Sequence, residues 1–206
     1  MLSQDREGIA AEAVRGRHAA AIDPHHPRFG GPTFSRRNRA ARALWIVTWK
    51  LLASWTPPPC KGWRRMLLRL FGAKLHPTAN VRSTTRVWWP ANLEMGAYAS
   101  LGPDVICYNV ARVTLEEGAS VSQRTHLCTA GHDIDDIEFP LTSAPIVIGR
   151  NAWVAAEAFV GPGVRVEEGA VLGARGVTVR DLAAFTVYAG NPARAIRLRS
   201  RDQVTW

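Results

Sequence analysis

The segment CTAGHDIDD, Cys128–Asp136, sets a histidine between a glycine and an aspartate in a stretch otherwise built of short aliphatic steps. An imidazole at His132 could take a proton from an oxygen nucleophile, because histidine as a residue type titrates near neutrality, or it could bind a metal. As a base it needs an acceptor for its second ring nitrogen, and Asp133, Asp135 or a backbone carbonyl could serve. The plain alternative is an ordinary loop residue. A zinc site is not indicated: His126 and His132 are separated by five residues, and no third histidine falls in phase, the nearest being His76. Cys60, Cys107 and Cys128 form neither an even set nor a CxxC pair, which points away from a disulfide framework and toward a reducing cytosol.

What must position His132 is a repeat. Ile148, Val154, Val160, Val166, Leu172 and Thr178 are each six apart, and small or branched residues recur four positions later at Ala152, Ala158, Val164, Ala170 and Gly176. Upstream the same step runs through Leu75, Val81 and Val87, then Met95, Leu101, Cys107 and Val113, then Leu115, Val121 and Leu127, with two-residue phase slips between runs. A period of six excludes an α-helix at 3.6, and a sandwich needs turn signals every 8–12 residues. It suits a short strand and a turn, three of which close a triangular coil of about 18 residues with its aliphatics stacked inward. The predicted fold is therefore mainly β, a solenoid over 75–199. Between Leu127 and Ile148 the phase is lost, and the loop 131–145 carries His132 off the scaffold, where function concentrates.

The net charge of +9 is localised: residues 28–75 hold eleven basic residues and no acidic one, whereas the segments on either side are each close to neutral. Residues 1–38 read as a flexible basic tail, 39–74 as an amphipathic helical hairpin and 200–206 as a short C-terminal tail. Leu44, Val47, Leu51 and Trp55 fall at helical spacing before TPPP stops the first helix; in the second, Trp63, Leu67, Leu70 and Phe71 take one side and Arg64, Arg65 and Arg69 mostly the other. Such a hairpin caps the main domain with its arginines solvated, or lies on anionic lipid through residues 28–75. Nucleic acid is not an expected partner, since no recognition motif accompanies the charge. The N-terminus lacks the apolar core of a signal peptide, and the apolar run Leu44–Trp55, broken by Lys50, is too short to span a bilayer.

The stretch IGRNAWVAAEAFVGPGVRVEEGAVLGARGVTVRDLAAFTVYAGNPARAIR resembles the hexapeptide-repeat acyltransferases, whose fold is a left-handed parallel β-helix. TFSRRNRAARALW, PPPCKGWRRMLLRLFGAKL and YNVARVTLEEGASVSQRTHLCTAGHDIDDIEFPLTSAPIVIG narrow the resemblance to the colanic acid biosynthesis type of O-acetyltransferase, over about residues 33–199. It implies a cytoplasmic homotrimer, peripheral at most to the inner membrane face, with acetyl-CoA and a saccharide acceptor, free or lipid-linked, meeting between adjacent solenoids. No metal is implied.

Residue by residue, the resemblance makes His132 the general base and places Asn109, Asp133 and Trp153 on the acceptor side, although the family's active-site asparagine does not align cleanly with Asn109. On the cofactor side it places Ala156 and Ala174, 18 residues apart on successive coils, beside the pantetheine arm. Val179 and Arg180 stand where the family has a Thr-Lys pair near the nucleotide, so the charge is kept and a hydroxyl is lost. Arg194 and Arg197 match basic residues that meet CoA phosphates, a task suited to the guanidinium fork. Two other readings compete: a non-catalytic solenoid scaffold or membrane adaptor, for which Val179 would mark decay of the donor site, and a γ-type carbonic anhydrase, which needs a His-x4-His pair that is lacking here.

Overall fold

A computed structural model describes residues 33–200; the expected tails, up to residue 32 and from 201 on, lie outside the described residues. The chain enters through helix α1, Arg36–Leu52, started by the Ser35 hydroxyl accepting from the Asn38 amide, so the helix begins before Arg39. A 3-10 turn at Pro58–Cys60 leads into helix α2, Lys61–Leu70.

The six-residue period then becomes three sheets wrapped around one core, parallel throughout except for the C-terminal strand, which adds antiparallel to the second. The first holds Lys74–Leu75, Leu93–Met95, Val113–Leu115, Ile146–Ile148 and Arg165–Val166; the second runs from Asn80–Val81 to the C-terminal strand Arg194–Leu198; the third runs from Arg86–Val87 to Val177–Thr178. Strands this short survive because each repeat residue stacks on its counterpart in the next coil: Val81, Leu101, Val121, Val154 and Leu172 form one buried column under the second sheet. Cys107 belongs to such a column, and burial pushes its thiol up to about 12, which leaves it unreactive at neutral pH.

The phase slips have a simple origin. Leu75 pairs with Met95 and Met95 with Leu115, twenty residues on each time, whereas Ile148 pairs with Val166 after eighteen. In the longer coils the first-sheet strand runs to three residues, as at Leu93–Met95, and both Leu93 and Met95 point inward about the outward Glu94, as the pleat demands.

Coils stack closely enough that some turns tolerate no side chain. A Cβ on Gly149 would lie 2.8 Å from the Glu168 nitrogen and the Val166 oxygen. Gly149→Ala is expected to lower stability by about 1–3 kcal/mol in thermal unfolding. Gly131→Ala, whose nearest neighbour is the Thr142 hydroxyl at 3.7 Å, should stay within about 0.5 kcal/mol of the parent.

The helices close the open end of the stack. Each coil donates its N–H groups to carbonyls of the next coil, as in His76 N–H to Met95 O and Arg82 N–H to Leu101 O, so the equivalent carbonyls of the first coil have no coil beneath them to donate. Side chains supply the donors: Arg69 to Leu75 O, Arg65 to Ala79 O, Arg64 Nε to Val81 O at 2.8 Å, Trp49 to Ser83 O and Trp45 to Val87 O. The expectation of solvated arginines in the hairpin is thereby corrected, since Arg64 is 1% exposed and all three reach inward. The apolar stripe is corrected too. Trp45, Trp49 and Ala53 face the solenoid, while Leu44, Val47, Leu51 and Trp55 point away from it, because backbone acceptors at the open end select indole and guanidinium donors over aliphatics.

Candidate active site

Where the phase is lost, the chain leaves the third sheet after His126–Cys128 and returns at Ile146 as an antiparallel hairpin, Ala130–His132 against Leu141–Ser143. His132 sits at the open end of that ladder, opposite Leu141. At the tip, Phe139 adopts a left-handed backbone (φ 49°), stacks its ring on the imidazole (centroids 4.3 Å apart, planes 8° from parallel) and presents its carbonyl oxygen 2.9 Å from His132 Nδ1. A carbonyl can only accept, so Nδ1 carries the proton and Nε2 keeps its lone pair. Of the three orienting groups left open by the sequence, the backbone carbonyl is the one used. Asp133 instead accepts from the Asp135 amide at 3.1 Å in a local turn.

The remaining candidates divide between two edges of the prism. The edge joining third and first sheets carries the His132 hairpin and, two ladder steps on, Val179 and Arg180, a displacement of about 10 Å along the stack. Val179, Arg180 and Arg194 line one small depression of about 150 Å³. Arg197 lies outside it, bonding the Leu198 carbonyl at 3.0 Å. Ala156 and Ala174 occupy successive turns on the edge joining second and third sheets, with the Arg175 amide donating to Ala156 O. Trp153 stands outward on the second sheet, half exposed, its indole N–H donating to Ser122 Oγ at 2.9 Å.

Asn109 is corrected. Its amide oxygen accepts from the Trp89 N–H and its amide nitrogen donates to the Trp89 carbonyl, so it pins the preceding turn like a rung of strand, and at 0% exposed it is buried out of reach of an acceptor. Its neighbour Tyr108 is the residue that reaches outward. Together with Trp88 and Arg42 it walls a cavity of about 610 Å³ between α1 and the third sheet. Arg42 lies 3.7 Å over the Trp88 ring, and its Nε is buried without a hydrogen-bond partner. Nothing periodic distinguished these three residues, because the cavity forms only once α1 folds over the coils.

His126 faces outward, edge-on to Phe159 with ring centroids 5.4 Å apart, and its Nε2 is buried without a partner. Desolvation lowers its pKa below the ordinary value of 6.5. The folded chain thus binds this proton less readily than the unfolded one, and stability is expected to fall as pH drops below about 6.5. Melting temperatures between pH 7.5 and about 5 check this, and His126→Gln should flatten that part of the curve. Among the described residues no group of three or more His, Cys, Asp or Glu side chains is placed to hold a metal ion.

The chain is 38% identical over 156 residues to the Escherichia coli K12 protein named "Putative colanic acid biosynthesis acetyltransferase WcaF", an alignment spanning 76% of this chain and 86% of that one, and matches the Shigella flexneri protein of the same name equally. It belongs to the WcaF family of hexapeptide-repeat acetyltransferases. No family profile matches the chain. Among solved structures, a maltose O-acetyltransferase from Clostridium difficile 630 superposes with a TM-score of 0.72 at 23% identity, over 81% of this chain and 90% of that one. The Vibrio cholerae hexapeptide-repeat acetyltransferase VCA0836 bound to acetyl coenzyme A gives 0.71 at 22% over 87% and 96%, and a galactoside acetyltransferase with coenzyme A gives 0.69 at 21% over 84% and 87%. These similarities establish the left-handed β-helix.

Proposed function

We propose that the chain transfers an acetyl group from acetyl-CoA to a hydroxyl of a saccharide, with His132 as the general base. The observation that carries this reading is the His132–Phe139 pair, which holds the ring in the tautomer whose Nε2 can accept a proton. In the step itself Nε2 takes the hydroxyl proton as the oxygen attacks the thioester carbonyl, backbone N–H groups stabilise the oxyanion, and its collapse breaks the C–S bond, the imidazolium returning the proton to the sulfur so that CoA leaves as the thiol and the acetyl ester remains, with no covalent enzyme intermediate. Ala156 and Ala174 would flank the pantetheine arm, and Arg180, Arg194 and Arg197 would meet the phosphates.

The cavity walled by Trp88, Tyr108 and Arg42 is the acceptor's place in this scheme. Its volume suits a sugar ring and its aromatic faces suit stacking, and Tyr108 pairs with Cys128 on the ladder leading to His132. Asp133 and Trp153 are acceptor-side residues in the same proposal.

His132 and the pair Ala156 and Ala174 lie on different edges, which favours a homotrimer whose neighbouring subunits bring the two edges together. The likeness to WcaF favours an acceptor from exopolysaccharide assembly at the cytoplasmic membrane face, free or lipid-linked.

Isothermal titration of acetyl-CoA and CoA, with mass from light scattering, tests the donor half. We expect a trimer that binds both, and about tenfold weaker binding by Arg194→Ala, the loss of one charge-assisted contact. A trimer without affinity for either would overturn the proposal in favour of a scaffold.

A further inference from the structure

The helical hairpin is amphipathic in the opposite sense from the one its sequence suggests. Its indole and guanidinium donors are spent inward on the first coil beside the buried Leu67 and Leu68, while the stripe expected to face the core is turned outward. On α1, Leu44, Val47 and Leu51 form one stripe directly opposite the buried Trp45 and Trp49, and Trp55, in the turn that follows the helix, continues it; Leu51 is 63% and Trp55 72% exposed. On α2, Trp63, Met66 and Leu70 make a second exposed row at the same spacing. The rows join where the Trp63 indole donates to the Leu52 carbonyl at 2.7 Å.

Charge surrounds this ridge with a single sign. Arg36, Arg37, Arg39 and Lys61 are exposed on the same two helices, and no acidic residue occurs between 28 and 75. Aliphatic and tryptophan side chains bordered by unopposed cations are the composition of a helix lying in the headgroup layer of an anionic bilayer. Neither helix is long and apolar enough to cross one.

We infer that the outer face of α1 and α2 docks on an anionic lipid bilayer, Leu51 and Trp55 entering the headgroup layer while the arginines of α2 hold the solenoid to the hairpin. This gives the membrane proximity proposed above a specific surface, but it does not depend on the chemistry at His132.

Flotation of the full chain with two vesicle types tests the assignment. The parent should float with phosphatidylcholine–phosphatidylglycerol vesicles, stay down with phosphatidylcholine alone, and bind less at high salt, where the Debye length shrinks to about 3 Å. The double variant L51E/W55E should bind the mixed vesicles at least about tenfold less, with unchanged thermal unfolding and mass. Absence of parental flotation, or parental flotation by the double variant, would overturn the assignment. A drop in mass for the variant would overturn it as well, marking the ridge as a contact between copies of this chain. Acetyl transfer to a soluble acceptor, measured alongside, separates failure of docking from failure of the catalytic proposal.

Discussion

His132→Ala is expected to lower turnover by about 10²–10⁴ while leaving acetyl-CoA affinity within about twofold. The asymmetry follows from the geometry. The ring is held by Phe139 from one face and one nitrogen, and the residues placed toward CoA stand on the far edge or two coils away. Removing the imidazole deletes the proton acceptor without disturbing coil packing. His132→Asn can keep a donor toward the Phe139 carbonyl but offers no base, so it should be as impaired as alanine. Steady-state kinetics with a saccharide acceptor, beside a titration of CoA, reads both quantities. A variant with full turnover would remove His132 from the reaction.

Arg64→Ala is expected to destabilise the fold by about 3–5 kcal/mol, more than any other single change considered. The guanidinium donates to Val81 O, to Thr56 Oγ1 and Pro57 O, and to Pro58 O, at 2.8 to 3.1 Å. One planar group thus satisfies the first coil and the interhelical turn at once, which an ammonium cannot copy, so Arg64→Lys should recover little. Deleting it strands buried carbonyls at the end of a parallel sheet stack. Thermal unfolding reads the effect, with Arg39→Ala, an exposed arginine on α1, expected within about 0.5 kcal/mol of the parent. Equal stability of the Arg64 and Arg39 variants would show that the cap is held by the indoles alone.

The solenoid was legible because its information is one-dimensional. A six-residue step with inward aliphatics dictates strand, turn and stacking, and even the phase slips record where Leu93 and Met95 both turn inward. The break in phase located the hairpin, and with it His132. What could not be read depends on surfaces that meet across long separations. Periodicity finds an apolar stripe on α1 but not which side faces the solenoid, and the answer came from carbonyls more than thirty residues away that Trp45 and Trp49 reach. Asn109 was placed toward the acceptor by resemblance alone, and only the fold shows Trp89 bonded to both ends of its buried amide. Phe139 carries no sequence signal at all; its role lies in a backbone carbonyl and a ring stack that exist only when the tip closes.

The hairpin leaves the coil without disturbing its register: Val113–Leu115 pairs directly with Ile146–Ile148, although more than thirty residues separate them. The histidine proposed as the base therefore sits on a segment that lies outside the register of the scaffold that bears it. Residues can be gained, lost or exchanged between Gly131 and Ala144 without re-indexing a single coil, so reaction specificity and thermal endurance are open to independent change, by natural drift or by grafting a hairpin from another solenoid.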